Sequence, residues 1–291
     1  MTLPNFLVIG AQRAGTTLLH RILQAHPEVF VPRRRKEIHF FDWYFDRGTI
    51  WYEKFFPRED ASDVYKALGE VTPDYLYEEK VPPRILETLG HCRLIVILRN
   101  PIDRAFSWYL YCLRSFAERR PVDQFLHEDQ TTLIRGLYSR HLNSYFDLFP
   151  RERFLILLLE DLVQDPVRNI DRIATFLGLS GSWPSPAAFL RDRVNASEIP
   201  MFRGAFARAQ RLGEICTRND LDWVVRVARQ IGIPKLFGTR VELPKLPALT
   251  RGWLEEYYRP EICRLEHLLR QDLEIWWPER RREQFVRGES G

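Results

Sequence analysis

Cysteine is scarce and scattered in this 291-residue chain. Its four thiols, Cys92, Cys112, Cys216 and Cys263, form no C-x-x-C pair and have no histidines at metal-ligand spacing. That excludes a disulfide scaffold or a zinc-stapled fold and leaves buried free thiols in a reducing compartment as the expectation. No apolar run approaches the ~20 residues that cross a bilayer. The first strand-like run starts within five residues of Met1, so no secretory leader is expected. A soluble, cytoplasmic protein without a membrane span is therefore expected. Internal repeats and low-complexity linkers are also missing. No large excess of either charge exists: 43 Lys and Arg against 39 Asp and Glu leave a net charge of +4 and a pI near 8.9. That balance suits an anionic small ligand and gives no support to nucleic-acid binding.

What the chain does have is core material, with 45% hydrophobic and 13% aromatic residues. A short apolar run, Phe6-Leu-Val-Ile9, breaks into Gly10-Ala-Gln-Arg-Ala-Gly-Thr-Thr17, and an amphipathic stretch follows (Leu18, Leu19, Ile22, Leu23). This reads as strand, loop, helix. Two further runs are continuously apolar, Arg93–Leu98 and Phe154–Leu159, as parallel strands buried on both faces require. Helices are expected over 102–114, from Tyr138 to Phe149, up to Phe176, and over 250–277. Val29-Phe-Val31 is strand-like. Strands separated by helices predict an α/β fold of three layers, P-loop-like, with a central, mostly parallel sheet flanked by helices. Residues 180–250 are rich in Pro and Arg and pattern weakly, as a loop region over a cofactor or substrate would.

The glycine-bounded loop aims backbone N–H groups and a helix N-terminus at one spot, which suits a phosphate. Gly10 and Gly15 have the spacing of a Walker loop, but Thr16 stands where its Lys would be. A cation sits inside the loop instead, at Arg13. The pattern fits a nucleotide without a γ-phosphate. In open α/β sheets ligands lie beyond the carboxyl ends of the strands. Arg99, with Ser107 two helical turns on, falls there, and so does Arg33-Arg-Arg-Lys-Glu-Ile-His-Phe-Phe-Asp42.

Gly10–Thr17 resembles the 5′-phosphosulfate loop of sulfotransferases that use 3′-phosphoadenosine 5′-phosphosulfate (PAPS). Leu94–Ser107 resembles their 3′-phosphate motif. Glu37-Ile-His-Phe-Phe-Asp42, with Trp51-Tyr52 and Gly69-Glu-Val-Thr-Pro-Asp-Tyr75 behind it, is similar to the heparan sulfate N- and 3-O-sulfotransferase branch. Gly136–Leu142 and Phe149–Phe154 match as well. The resemblance implies a sulfotransferase domain over 1–278 with a charged tail at 279–291. It also implies PAPS as cofactor, adenosine 3′,5′-bisphosphate as product, no metal, and a carbohydrate or small-molecule acceptor sulfated on a hydroxyl rather than an amine. Gly10, Gln12, Arg13, Ala14, Gly15, Thr16, Thr17, Arg99 and Ser107 would bind the cofactor. Arg203 would belong to a loop over the 3′-phosphate.

The resemblance makes Glu37 the general base, with Arg13, His39 and Lys36 as catalytic partners and Asp42, Glu70 and His141 facing the acceptor. Ile38, Phe40 and Phe41 are expected to raise the Glu37 pKa. The family usually has Lys where Arg13 stands, and another Lys where Val71 stands. Lys36 either supplies the missing ammonium or belongs to a solvated basic cluster with Arg33, Arg34 and Arg35. Glu37 itself has the plain alternative of pairing with Lys36 or Arg35 on a loop. Glu70 has an equally plain one as a structural hydrogen-bond partner, and His141 as a core side chain. Trp43, Tyr44 and Trp51 offer flat faces for a sugar. Two rival functions remain open, a nucleoside triphosphate-dependent kinase and a non-catalytic PAPS- or polyanion-binding protein.

Overall fold

The computed structural model describes residues 2–33, 35–58, 64–116, 118–180, 183, 199–200, 203–218, 224, 227, 238–239 and 243–277. Five strands, β1 (Phe6–Gly10), β2 (Val29–Phe30), β3 (Ala67–Val71), β4 (Arg93–Leu98) and β5 (Phe154–Leu158), form one sheet. Their order is β2-β3-β1-β4-β5, and every neighbouring pair is parallel. The described helices are α1 (Thr16–Gln24), α2 (Thr49–Glu53), α3 (Val81–Leu89), α4 (Pro101–Ser115), α5 (Val122–Glu128), α6 (Gln130–Ile134), α7 (Tyr138–Phe146), α8 (Leu159–Gln164), α9 (Pro166–Leu177), α10 (Arg203–Arg218) and α11 (Ala248–Leu269). A separate antiparallel pair joins β6 (Ile199–Pro200) to β7 (Gly238–Thr239). The expected three-layer α/β architecture is what forms.

Side-chain alternation along the strands builds the layers. Leu7, Ile9, Leu94, Val96 and Leu98 face one core with Ile85 of α3, Ile102 and Ala105 of α4, Tyr145 of α7 and Leu254 and Tyr258 of α11. Phe6, Val8, Ile95, Ile97 and Leu157 face the other core with Leu19 and Ile22 of α1 and Ile170 and Ile173 of α9. Both faces are dry, so period-two polarity has no place in β1 or β4. From β1 the chain runs to β2 and β3 on one side, then crosses to β4 and β5 on the other. The order reverses beside β1, which opens a crevice at the carboxyl ends of β1 and β4.

The expected elements shift at their ends. Helix α4 starts at Pro101, where the Asn100 side chain accepts a hydrogen bond from the Ile102 amide at 3.0 Å. The predicted helix to Phe176 is two helices, because Asp165 caps α9 by accepting from the Arg168 amide. The C-terminal helix stops at Leu269 instead of running to 277, with Arg270 in the left-handed region (φ 52°). Beyond it Trp276 is buried: its indole donates to Glu160 Oε2 at 2.9 Å and its carbonyl accepts from Asn100 Nδ2 at 3.0 Å. Strand β3 was not expected at all. Of the thiols, Cys92 and Cys112 are buried, while Cys216 is half-buried and Cys263 is exposed, against the expectation that all four are buried. Among the described residues no helix is long and apolar enough to cross a membrane. Most of 180–250, and the charged tail, lie outside the described residues.

Candidate active site

The 10–17 loop leaves the sheet at the crevice. The Ala11 amide donates to the Ile97 carbonyl at 2.7 Å and the Gln12 amide to Tyr77 Oη at 3.0 Å, which ties the loop to β4 and to the segment after β3. Gly10 passes so close to Leu76 that an added Cβ would stand 2.7 Å from its Cβ. Gly15 has φ 93°, an angle that strains any side chain, and lies against the tip of Leu159. Ala14 is buried. Thr16 and Thr17 then open α1, which has no side-chain cap and no acid in its first turn. No carboxylate of its own first turn therefore competes for its N-terminal amides.

Arg13, Arg99 and Ser107 come together as expected, but in an arrangement the spacing did not reveal. Arg13 is in the left-handed region (φ 68°). Its Nε donates to Ser107 Oγ at 3.2 Å and its guanidinium lies 5.0 Å from the Tyr111 ring centre. Arg99, at the end of β4, donates to the Arg13 carbonyl at 3.4 Å. Burial first, and then Arg114 and Arg99 nearby, bring the Arg13 pKa down to about 10. Arg13 is thus cationic at neutral pH and clustered with like charges, an arrangement that favours a multiply charged anion.

On the other side of the loop, Lys36 Nζ donates to Thr16 Oγ1 at 3.2 Å, Thr17 Oγ1 at 3.3 Å and Glu37 Oε1 at 3.0 Å. The solvated-cluster reading of the basic run is corrected here. Arg35 is buried, its guanidinium over the rings of Tyr44, Trp51 and Phe55, and Arg33 is exposed. Arg34 lies outside the described residues.

Glu37 remains 39% exposed, enough for a ligand to reach it. Its Oε2 is 3.7 Å from His39 Nε2, and His39 Nδ1 is 2.8 Å from Asp42 Oδ2. The expected rise in the Glu37 pKa does not occur. Burial works in that direction, but His39 and Lys36 outweigh it and hold the carboxyl down to about 2. Ile38, Phe40 and Phe41 point into the core instead of toward the carboxylate. His39 moves the other way: burial lowers it, yet Asp42 and Glu37 raise it to about 9, so the ring is an imidazolium at neutral pH. Trp43 stacks on it at 3.7 Å between ring centres and is half-exposed.

Two residues assigned to the acceptor are corrected by burial. The Asp42 side chain is fully buried and accepts from His39 and from the Trp43 amide, so it orients His39 instead of touching an acceptor. Glu70 is completely buried in β3, where it accepts from Tyr52 Oη at 2.6 Å, Thr72 Oγ1 at 2.9 Å and Tyr75 Oη at 2.9 Å. That is the structural alternative for Glu70. Burial raises its pKa to about 7 despite those three donors. His141 meets the Ile134 carbonyl at 3.0 Å and the edge of Tyr77, half-buried on α7, with its pKa lowered chiefly by burial. Arg203 begins α10, and its side chain lies outside the described residues.

The sequence reading missed a polar bridge. Asp74 accepts from Gln12 Nε2 at 3.2 Å and pairs with Arg135 at 3.0 Å; Arg135 also donates to Gln12 Oε1 and covers the Tyr77 ring. Asp74 lies within Gly69–Tyr75, but nothing local marks Arg135. Glu37, His39 and Asp74 bring ligand atoms within 4.8 Å of one another. Lys36 and Arg135 already neutralise the two carboxylates and the ring is protonated, so the donor set does not suit a cation.

The sulfotransferase domain family matches residues 3–194. A heparan sulfate glucosamine 3-O-sulfotransferase 6 of Mus musculus is 35% identical over 189 residues, which is 60% of this chain and 52% of that protein. A bifunctional heparan sulfate N-deacetylase/N-sulfotransferase 3 of Homo sapiens is 31% identical over 94% of this chain and 31% of its own length. The chain thus spans about half the length, or less, of these curated relatives. A solved sulfotransferase from Alicyclobacillus acidocaldarius has the same fold, with a TM-score of 0.65 at 23% identity over 95% of this chain and 99% of that one. With the family match spanning 3–194 on this sheet and loop, the chain belongs to the sulfotransferase domain family.

Proposed function

We propose that the chain transfers the sulfuryl group of PAPS to a hydroxyl of a carbohydrate or a small glycoside-like acceptor, leaving adenosine 3′,5′-bisphosphate. The observation that carries this is the Lys36 ammonium, which joins the Thr16/Thr17 end of the anion loop to Glu37 within 3.3 Å. A carboxylate is thereby held beside the place where a transferable group would sit. Sulfuryl transfer is an in-line displacement that needs positioning and fixed positive charge, and the acceptor must lose a proton. The loop amides, Thr16, Thr17, Arg99 and Ser107 would bind the cofactor. Glu37 would take the acceptor proton, with His39 holding it in place and Asp42 holding His39. The half-exposed Trp43 face beside them suits a sugar ring. The named activities of the 3-O- and N-sulfotransferase relatives support a carbohydrate acceptor. The free, unpaired state of Cys92, Cys112 and Cys216 is compatible with a reducing, cytoplasmic setting.

Incubation with ³⁵S-labelled PAPS and a panel of oligosaccharides and small hydroxylated acceptors tests the reading. Acceptor-dependent label transfer is expected. Phosphate transfer from ATP to the same panel would establish the kinase instead, and tight PAPS binding with no transfer to any acceptor would leave a binding protein.

A further inference from the structure

We propose that Lys36, rather than Arg13, is the cation that faces the phosphosulfate bridge, and that Arg13 has joined the grip on the 3′-phosphate. The assignment rests on the sulfotransferase reading above. Both parts follow from where the two side chains go. Arg13 turns toward α4: Ser107 takes its Nε–H at 3.2 Å and Tyr111, one helical turn further along, lies under its guanidinium. Ser107 belongs to the 3′-phosphate motif, and Arg99 of the same motif bonds the Arg13 carbonyl. A planar fork beside Arg99 suits a terminal phosphate dianion, which accepts several hydrogen bonds at once. Lys36 goes the opposite way, into the threonine pair at the mouth of α1, where three N–H groups converge on Thr16, Thr17 and Glu37. It arrives from the segment after β2 and fills the region that a loop Lys would otherwise serve. The chain also has no cation at Val71, which is buried in β3.

In the transfer, the acceptor oxygen forms a bond to sulfur while the bond from sulfur to the bridging oxygen breaks. That electron pair stays on the bridging oxygen, which becomes a terminal phosphate oxygen of the bisphosphate. The acceptor proton passes to a Glu37 carboxylate oxygen. A hydrogen bond from Lys36 Nζ to the bridging oxygen offsets the charge that collects there. The same move affects the base. Lys36 sits 3.0 Å from Glu37 Oε1 and helps keep that carboxylate weakly basic. An ammonium drawn onto the phosphosulfate releases its share of Glu37, so arrival of the cofactor makes the base stronger.

Calorimetry with adenosine 3′,5′-bisphosphate and adenosine 5′-monophosphate, together with single-turnover transfer from PAPS, separates the two roles. Arg13→Ala is expected to lose about 10- to 100-fold in affinity for the bisphosphate while monophosphate affinity stays within about threefold. Arg13→Met, which keeps an unbranched stem against Tyr111, should show the same selective loss, so that misfolding is not mistaken for it. Lys36→Met should slow transfer by about 100-fold or more with the bisphosphate-to-monophosphate preference unchanged, and Lys36→Arg should recover part of the rate. If both Arg13 variants keep the native preference for the bisphosphate, or Lys36→Met transfers at the native rate, the assignment is overturned and the sulfotransferase reading stands. If the unaltered chain shows no preference for the bisphosphate, that reading fails and the assignment goes with it.

Discussion

Replacing Glu70 by Gln removes a carboxyl from the middle of β3 and keeps its shape. Glu70 is completely buried, and burial raises its pKa from the ordinary 4.5 to about 7. Between those two values the folded chain holds a proton that the unfolded chain has released. The native state therefore binds more protons in that window, and stability falls as pH rises through it. The displacement from 4.5 to about 7 corresponds to about 3 kcal/mol, fully lost once the pH is above 7. The Gln side chain suits the site: its carbonyl oxygen can keep the two hydrogen bonds from Tyr52 and Tyr75, and its amide can donate to Thr72 Oγ1 once that hydroxyl rotates.

The measurement is the urea-unfolding free energy of the native chain and of Glu70→Gln, each near pH 5 and near pH 8. Near pH 5 the two should be within about 1 kcal/mol, and near pH 8 the variant should be the more stable by about 3 kcal/mol. Taking the difference between variant and native cancels every other titrating group that the substitution leaves alone. A gap that stays constant from pH 5 to pH 8 would show that Glu70 titrates alike in the folded and unfolded chain, and the burial argument would be wrong. The consequence extends to the site. Thr72 Oγ1 accepts the Ile38 amide at 3.2 Å and Tyr75 Oη accepts the Phe41 amide at 3.2 Å, so the hydroxyls that bond Glu70 also hold the segment carrying Glu37 and His39.

Three further substitutions probe the site directly. Glu37→Gln should cut single-turnover transfer by ~10²–10⁴ with bisphosphate affinity nearly intact; unchanged turnover would mean that the acceptor proton leaves by another route. Asp42→Asn removes the strongest support for the His39 imidazolium, which now persists to about 9. Activity of the native chain should therefore decline as pH passes about 9, and in Asp42→Asn that alkaline decline should move to lower pH; a rate profile that does not move would separate His39 from the reaction. Gly15→Ala places a Cβ 2.5 Å from Leu159 Cδ1 at φ 93°. It should lower thermal stability and weaken binding of both adenosine nucleotides together, and calorimetry showing native affinities would argue against the loop as the anion site.

How much of this the sequence disclosed depends on whether the deciding partner is local. Strands β1, β4 and β5 are readable because the apolar run is unbroken, and in β1 and β4 because both faces are dry. Strand β3 is just as buried, but reads Ala-Leu-Gly-Glu-Val. Gly69 is there because the Phe6 ring takes its side-chain space, with an added Cβ standing 2.4 Å from Phe6 Cζ. Glu70 is tolerated because hydroxyls 18, 2 and 5 residues away satisfy it. Gly69 looks like a strand breaker until the distant Phe6 ring is known, and Glu70 until the fold turns those three hydroxyls onto its carboxylate.

The site follows the same rule, and it shows why a motif fixes residue positions better than residue roles. The spacing of Gly10, Gly15, Thr16 and Thr17 depends on adjacent backbone, and the loop forms where the pattern places it. The direction of Arg13 depends on a left-handed backbone angle and on α4, 94 residues beyond it. Lys36 reaches the loop from 20 residues away. Glu37 was expected to be a raised carboxyl because its sequence neighbours are apolar. In the fold those neighbours face inward, and the groups that set its pKa are the ammonium on one side and the imidazolium on the other. On the proposal above, that carboxylate becomes the stronger base when Lys36 is drawn off while the His39 imidazolium still holds it in place. Of the two, His39 is fixed by Asp42 and by Trp43, whereas Lys36 hangs on two threonine hydroxyls that an incoming anion competes for. On that proposal the lysine is therefore the partner that moves, drawn by the charge on the cofactor.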